Sequence, residues 1–222
     1  MKRDRFRHLE RLRVRWAEVD LQKIVFNAHY LTYFDTAAAG YWRAMALPYT
    51  DTMARLGGDL FLRKATLEYR AAARYDDVLD VGIRCGHIGN SSLVFHAAAL
   101  RGDAMLVGAE LVYVFADPAT QTAQTVPTDL RTLLHDFEAG APMVEVRVGG
   151  WDELGLDAQR IRSSVFIDEQ RIPAELEWDA ADAGCVHAVA FNRCGVALAT
   201  GRLLEHAPGV ARIGRMATLQ AM

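Results

Sequence analysis

The chain opens on alternation. Leu12, Val14 and Trp16 stand at every second position with Arg11, Arg13 and Arg15 between them, the period of a strand with one apolar face. From about residue 28 to 45 the period changes. Tyr30, Phe34, Ala37 and Tyr41 recur at steps of four, three and four, so they line one face of a helix. Ala37, Ala38 and Ala39 favour helix and allow a sheet to come close. Gly40 costs the helix about 1 kcal/mol and lets a neighbouring segment approach. Pro48 ends this stretch. Strand-like runs follow at 61–70, 78–88, 92–101 and 104–115, with turns at Asp76-Asp77, Gly89-Asn90 and Arg101-Gly102-Asp103. Pro127 precedes a short amphipathic helix over 128–135. One strand, one long buried helix and a meander of strands predict an α+β fold, an antiparallel sheet wrapped around a central helix.

The pattern restarts after a change of composition at 136–143, where Gly140 and Pro142 mark a linker. This predicts two domains, 1–135 and 144–222. In the second, 144–148 alternates like a strand. Residues 155–170 read as a helix with Leu156, Ile161, Val165 and Phe166 on one face. Runs at 186–191 and 196–204 form two strands joined by a hairpin at Asn192-Arg193-Cys194-Gly195, and 211–217 adds a third.

Charge changes this picture little. The net charge of −3 over 222 residues gives no drive toward nucleic acid or an anionic membrane. The first fifteen residues are locally basic, with Lys2, Arg3, Arg5, Arg7, Arg11, Arg13 and Arg15. They read as a solvated extension rather than a phosphate-binding arm. No apolar stretch follows them as in a signal peptide, and no run approaches the ~18 apolar residues that span a bilayer. Cys85, Cys185 and Cys194 lack metal or redox spacing and read as reduced thiols of a cytoplasmic protein. No metal or cofactor is implied.

The candidate chemistry lies where the first strand gives way to the first helix. Asp20 precedes Asn27, a good helix-capping residue, by seven positions. A carboxylate is thereby placed near a helix N-terminus, whose free N–H groups can hold an oxyanion. This suits attack on an ester or thioester carbonyl. Glu18 reads as outward-facing at the strand end. His29 lies in the first helical turn, where it assists as an acid or is simply solvated, and Asp35 reads as an exposed helix charge. Ser91 and Ser92 either open a strand or touch a ligand.

The residues from Val14 to Phe34 carry a resemblance. An aromatic strand end, two acids two apart, the Ile24-Val25 pair and an Asn-x-x-Tyr-Leu helix entry resemble the hot-dog-fold acyl-CoA thioesterases related to 4-hydroxybenzoyl-CoA thioesterase. Asp77 to Val81, Ser91-Ser92-Leu93 and Val126-Pro127 match more weakly. The resemblance covers about residues 10–135. It implies hydrolysis of an acyl-CoA, with Asp20 as catalytic carboxylate and a main-chain N–H near Asn27 polarising the carbonyl. It also implies His29, Tyr30, Ser91 and Ser92 as candidate substrate contacts, CoA thioester as substrate rather than cofactor, and a homodimer or homotetramer. Lys23 departs from the pattern, since the family has Gly three residues after the catalytic Asp. A non-catalytic acyl-CoA-binding or assembly module is the alternative that Lys23 keeps open.

In the second half, Arg160 and Arg162, the run from Val165 to Gln170, Pro173, Glu177, Asp179, Asp182, His187, Thr200-Gly201-Arg202-Leu203 and Ile213-Gly214-Arg215-Met216-Ala217 resemble the first part of GNAT acetyltransferases. The resemblance implies an incomplete domain, because the Gly-rich turn that would hold the pyrophosphate of acetyl-CoA does not follow Ala217. N-acetyl transfer is expected only if that part exists in the natural protein. Glu169 and His187 are expected to be structural, and the charges at 175–182 to form a solvated loop.

Overall fold

In the computed structural model residues 1–220 are described, and the chain divides into two units, one of Met1–Ala141 and one from Pro142 onward.

The first unit is a five-stranded antiparallel sheet with helices. Its strands are β1 (Leu9–Arg13), β2 (Asp59–Tyr69), β3 (Val78–Ile88), β4 (Ser92–Arg101) and β5 (Ala104–Ala116), and its helices are α1 (His29–Ala44), α2 (Tyr49–Leu56) and α3 (Thr128–Ala139). The strand order is β1-β3-β4-β5-β2, so β1 and β2 are the edges. The periodic apolar stripe of α1 is buried as its spacing requires: Tyr30, Tyr33, Phe34, Ala37 and Tyr41 are almost fully enclosed. The helix lies over β1, β3 and β4. Tyr41 meets Phe95 of β4 and Phe137 of α3 edge-on, with ring centroids 5.8 and 4.9 Å apart. Glu138 of α3 accepts hydrogen bonds from the Tyr41 hydroxyl at 2.8 Å and the Cys85 N–H at 2.7 Å, which ties helix, helix and sheet together. Gly40 answers to a close approach, because a Cβ there would run into the side chains of His8 and Glu10.

Three expectations are corrected here. β1 stops at Arg13; Trp16 does not continue it but enters a 3₁₀ turn, Trp16–Glu18, and is 73% exposed. The basic N-terminal stretch is not a solvated extension. Phe6 is buried against Ala98 and Leu100 on the sheet face away from α1, above Gly82, where a Cβ would strike its ring. Arg3 and Arg11 both pair with Asp80 of β3, Arg13 with Asp76 and Arg15 with Glu18. Arg11, with Arg3 and against the opposing effect of burial, holds the Asp80 carboxyl below the usual range. Finally, α3 runs four residues past His135 into the stretch read as linker and ends on Gly140, which takes the left-handed φ of 90°. α2, between Pro48 and left-handed Gly57, is a helix not expected from the hydrophobic pattern.

The second unit has β6 (Val144–Gly149), α4 (Trp151–Arg162), a π-helical segment Ser163–Glu169, α5 (Ala174–Glu177), β7 (Val186–Asn192), β8 (Ala197–Ala207) and β9 (Val210–Thr218). Its sheet is antiparallel in the order β6-β7-β8-β9. Leu154, Ala158, Ile161 and Val165 pack against Val189, Phe191, Ala197 and Ala217. Leu156 is 82% exposed, so the helical face expected from 155–170 is corrected: the true face is set by Leu154 and Ala158.

The charges at 175–182 are likewise not a solvated loop. Arg162 is 1% exposed and is gripped by Glu177, whose carbonyl also accepts from it at 3.0 Å, and by Asp182 at 2.9 Å. Its guanidinium stacks over Trp178, 4.7 Å from the ring centroid. Arg202 bonds Asp182 at 2.8 Å and Asp179 at 2.7 Å. His187 is buried, its Nε2 2.9 Å from the carbonyl of Asp182, a structural position as expected.

This network makes the second unit acid-sensitive. Arg202 holds the Asp179 carboxyl below its usual range; for Asp182, burial acts to raise it, but hydrogen bonds from Arg162 and Arg202 outweigh that. A carboxylate depressed on folding contributes stability above its unfolded value and loses it as pH falls through the folded value. Hydrogen-exchange protection in β7 and β8 should therefore be full near pH 7 and decline below about pH 4. Protection unchanged at about pH 3 would show that these carboxylates do not hold the unit.

Candidate active site

Asp20 sits at the head of a small closed hairpin. Val19 and Val25 bridge antiparallel, the Asp20 N–H donates to the Ile24 carbonyl at 2.9 Å, and the Lys23 N–H donates to the Asp20 carbonyl at 2.9 Å. One Asp20 carboxylate oxygen, Oδ1, accepts the Gln22 N–H at 2.8 Å. Oδ2 has no hydrogen-bond partner among the described residues. The residue is half-buried, while Leu21, Gln22 and Lys23 are exposed.

The turn needs a left-handed residue, and Lys23 supplies it at φ 61°. Lysine in place of glycine therefore leaves the loop's shape intact and places strain on the backbone instead.

The hairpin is anchored from beneath by Glu18, which is 3% exposed and so corrects the outward-facing position expected for it. Its carboxylate accepts the Arg15 N–H at 2.7 Å, the Arg15 Nε at 2.8 Å and the Tyr33 hydroxyl at 2.8 Å. Its carbonyl accepts the Phe26 N–H at 2.9 Å. Burial acts to raise the Glu18 pKa, and the bonds from Arg15 and Tyr33 outweigh it and leave the carboxyl below its usual range. The same contact, with burial first, pushes the Tyr33 hydroxyl well up. Glu18 thus ties its own 3₁₀ turn, the loop and α1 together, and its contacts favour the charged carboxylate.

The start of α1 is built differently from the expected cap. Ala28, not Asn27, is the N-cap, and no side chain caps the helix. The N–H groups of Phe26, His29, Tyr30 and Leu31 are taken by the carbonyls of Glu18, Phe26, Asn27 and Ala28. The N–H groups of Asn27 and Ala28 have no partner among the described residues, and both residues are exposed. The Asn27 carbonyl is tethered by the Tyr69 hydroxyl of β2 at 3.1 Å. A carboxylate with an unused oxygen and two unspent backbone donors therefore flank one short segment, residues 20–28.

The other expected contacts divide. His29 is half-buried, its ring edge-on to Phe26 at 6.0 Å. Tyr30 is 2% exposed and its hydroxyl accepts the Ala73 N–H at 3.1 Å, so it supports the loop from within the core. Ser91 and Ser92 are not brought to Asp20 within one chain. The Asp20 hairpin leans on Ala73, just before β3, through the Val25 N–H, whereas the serines follow the far end of β3. Eleven residues of strand, about 35 Å, lie between. Among the described residues no group of His, Cys, Asp and Glu is arranged to hold a metal ion.

Substituting Lys23 tests the strain. An L-residue in the left-handed region costs about 1–2 kcal/mol relative to glycine's freedom there. Lys23→Gly should raise the urea midpoint by an amount equivalent to about 1 kcal/mol. A lower midpoint would mean that the lysine side chain holds the turn.

The first unit is similar to known proteins. Residues 22–108 match the family described as Thioesterase superfamily. A protein of Aquifex aeolicus provisionally named an esterase is 30% identical over 93 residues, 42% of this chain and 72% of the relative. The acyl-CoA thioester hydrolase YbgC of Escherichia coli is 27% identical over 120 residues, 54% of this chain and 89% of the relative. Among solved structures, the probable thioesterase YbaW of Escherichia coli superposes with a TM-score of 0.51 at 19% identity, covering 58% of this chain and 97% of its own.

Proposed function

Because this chain belongs to the thioesterase superfamily through its first unit, we propose that this unit hydrolyses acyl-CoA thioesters to a free carboxylic acid and CoA. The observation that carries the proposal is the placement of Asp20 and the unspent N–H groups of Asn27 and Ala28 at the two ends of one short segment, residues 20–28. Asp20 either takes a proton from water as it attacks the thioester carbonyl or attacks that carbonyl itself. In both routes the carbonyl oxygen becomes negative, and backbone N–H groups at a helix entrance are suited to receive it. The tetrahedral species collapses by breaking the C–S bond. CoA leaves as a thiolate, a good leaving group, so no strong general acid is required. If Asp20 has attacked directly, water then hydrolyses the resulting anhydride and restores the carboxylate. The site calls on no metal or cofactor in this reading. Lys23 keeps the turn, so it gives no support to a non-catalytic acyl-CoA-binding module.

The test is a panel of acyl-CoAs with release of the CoA thiol as readout. The parent should turn over at least one of them steadily, and Asp20→Ala should lose about 10²–10⁴ of that rate while keeping its circular-dichroism spectrum. A variant within a few-fold of the parent would remove Asp20 from the chemistry.

The assembly belongs to the same proposal. Among the described residues β2 pairs only with β5, and its other edge is unpaired over eleven residues, with Leu62 and Tyr69 about half exposed. An unpaired edge of this length favours pairing with a second copy, which supports a homodimer, or a homotetramer built from two. Sedimentation at micromolar concentration should give at least twice the chain mass, and a strictly monomeric species would contradict this.

For the second unit the GNAT resemblance supports a fold reading. Arg162, Glu177, Asp179, Asp182, His187, Arg202 and Arg215, which carry much of it, are joined in the buried ion network or touch it. The match thus reflects a structural frame, and acetyl transfer would require a phosphate-holding turn that these residues do not form. No described helix is long and apolar enough to cross a membrane. No disulfide occurs among the described residues, and Cys85 and Cys185 are buried thiols, which supports a reducing, cytoplasmic setting.

A further inference from the structure

We propose that the second unit carries a binding site for a small organic carboxylate, between the segment after α5 and the β8–β9 pair. A cavity of about 370 Å³ lies there, lined by Asp179, Arg202, Leu204, Arg212, Ile213 and Arg215 among others. That is the size range of small-molecule sites.

The lining carries three arginines and one acid, and the acid is spent. Asp179 Oδ1 accepts from Arg202 at 2.7 Å and from the Ala181 N–H at 3.1 Å; Oδ2 accepts from Arg202 at 3.1 Å and from Arg215 at 3.2 Å. It has little capacity left to repel or to bind. The donors are only partly spent. Arg202 is 7% exposed, and its Nε is buried with no hydrogen-bond partner. The Nε of Arg215 also makes no hydrogen bond, Glu177 lying 3.4 Å away in poor geometry. The Arg212 side chain has neither a hydrogen bond nor an ion pair among the described residues.

The charge count points the same way. Arg162, Arg202 and Arg215 are matched by Glu177, Asp179 and Asp182, three against three, which leaves the guanidinium of Arg212 in excess.

The backbone is arranged to bring these groups together. Between Gly214 and Ala217 β9 carries one more residue than β8 does between Arg202 and Thr200, which is a β-bulge. Arg215 sits in it at φ 53°, a conformation an L-residue rarely takes. The bulge sends the Arg215 side chain back toward Asp179 and Glu177, so consecutive parts of β9 contribute two arginines to one cavity.

An oxyanion meets unspent guanidinium donors best, and a carboxylate matches the planar fork of arginine. Leu204 and Ile213 on the wall add apolar surface, which favours an anion with a short hydrocarbon body over a bare inorganic one. The proposal rests on the second unit alone. It requires neither thioester hydrolysis by the first unit nor acetyl transfer by the second.

Calorimetric titration of the whole chain with sodium butanoate at low ionic strength tests it. Butanoate should bind saturably at a site that butyramide, its neutral counterpart, does not fill. Arg212→Gln, which touches no ion pair, should weaken that site by about tenfold, the scale of one charge-assisted hydrogen bond. Arg160→Gln on the outer face of α4 should not. Butanoate binding indifferent to Arg212→Gln, or equally weakened by Arg160→Gln, would overturn the site. Tighter Arg212-dependent binding of inorganic phosphate would overturn the assignment to a carboxylate.

Discussion

A carboxylate removed from water must be met by donors on every side, and in the first unit that carboxylate is Glu18. It takes its hydrogen bonds from its own turn, through Arg15, and from the second turn of α1, through Tyr33. A buried charge with one partner removed is strongly destabilising. This makes the bonds interdependent: the 3₁₀ turn, the hairpin bearing Asp20 and the first helix hold their positions together. The Phe26 N–H on the Glu18 carbonyl extends the tie to the far side of the loop, just before the two unspent N–H groups. The reactive segment is exposed, but the element that sets its position is not.

The second unit uses the same physics with the signs reversed. Arg162 is the enclosed charge, and Glu177, Asp182 and two tryptophan rings surround it. Arg202 shares Asp182 and passes the connection on to Asp179, so the irregular stretch between α5 and β7 is fixed to the sheet by ions where regular hydrogen-bonded structure is scarce. Such networks favour one arrangement of the chain more than they add net stability, because desolvation opposes the attraction.

These two centres also mark where the sequence was legible and where it was not. The strands from β3 to β5 and the stripe on α1 could be read because period alone decides which residues turn inward, and neighbouring turns carried clear signals at Gly89-Asn90 and Gly102. The change of period near residue 28 marked where α1 begins, but not its cap, which is Ala28 rather than Asn27. Glu18 could not be placed inside, since its partner Tyr33 is fifteen positions away and only folding brings it near. The acids at 175–182 were obscured likewise: a charge-rich run looks solvated until Arg162 and Arg202 arrive from other elements. Leu156 was assigned to the wrong face because a π-helical segment follows Arg162, and one 3.6-residue period cannot be carried through 155–170. α2 is eight residues long with few apolar positions, too short for any period to show.

The N-terminal strap across the outer face of the sheet has a consequence for the order of assembly. Arg3 and Arg11 reach Asp80 across 77 and 69 positions, and Phe6 settles on strands that lie still later in the chain. The segment made first is therefore among the last to find its partners. At a synthesis rate of about 5–20 residues per second, it waits on the order of 10 s for β3 to emerge. During that interval Arg3, Arg11 and Arg13 stand without Asp80 and Asp76 among the other basic residues of the segment, and Phe6 without its pocket. Their mutual repulsion keeps this stretch extended and soluble, so the charges that later fasten the strap first protect the nascent chain from collapsing before its sheet exists.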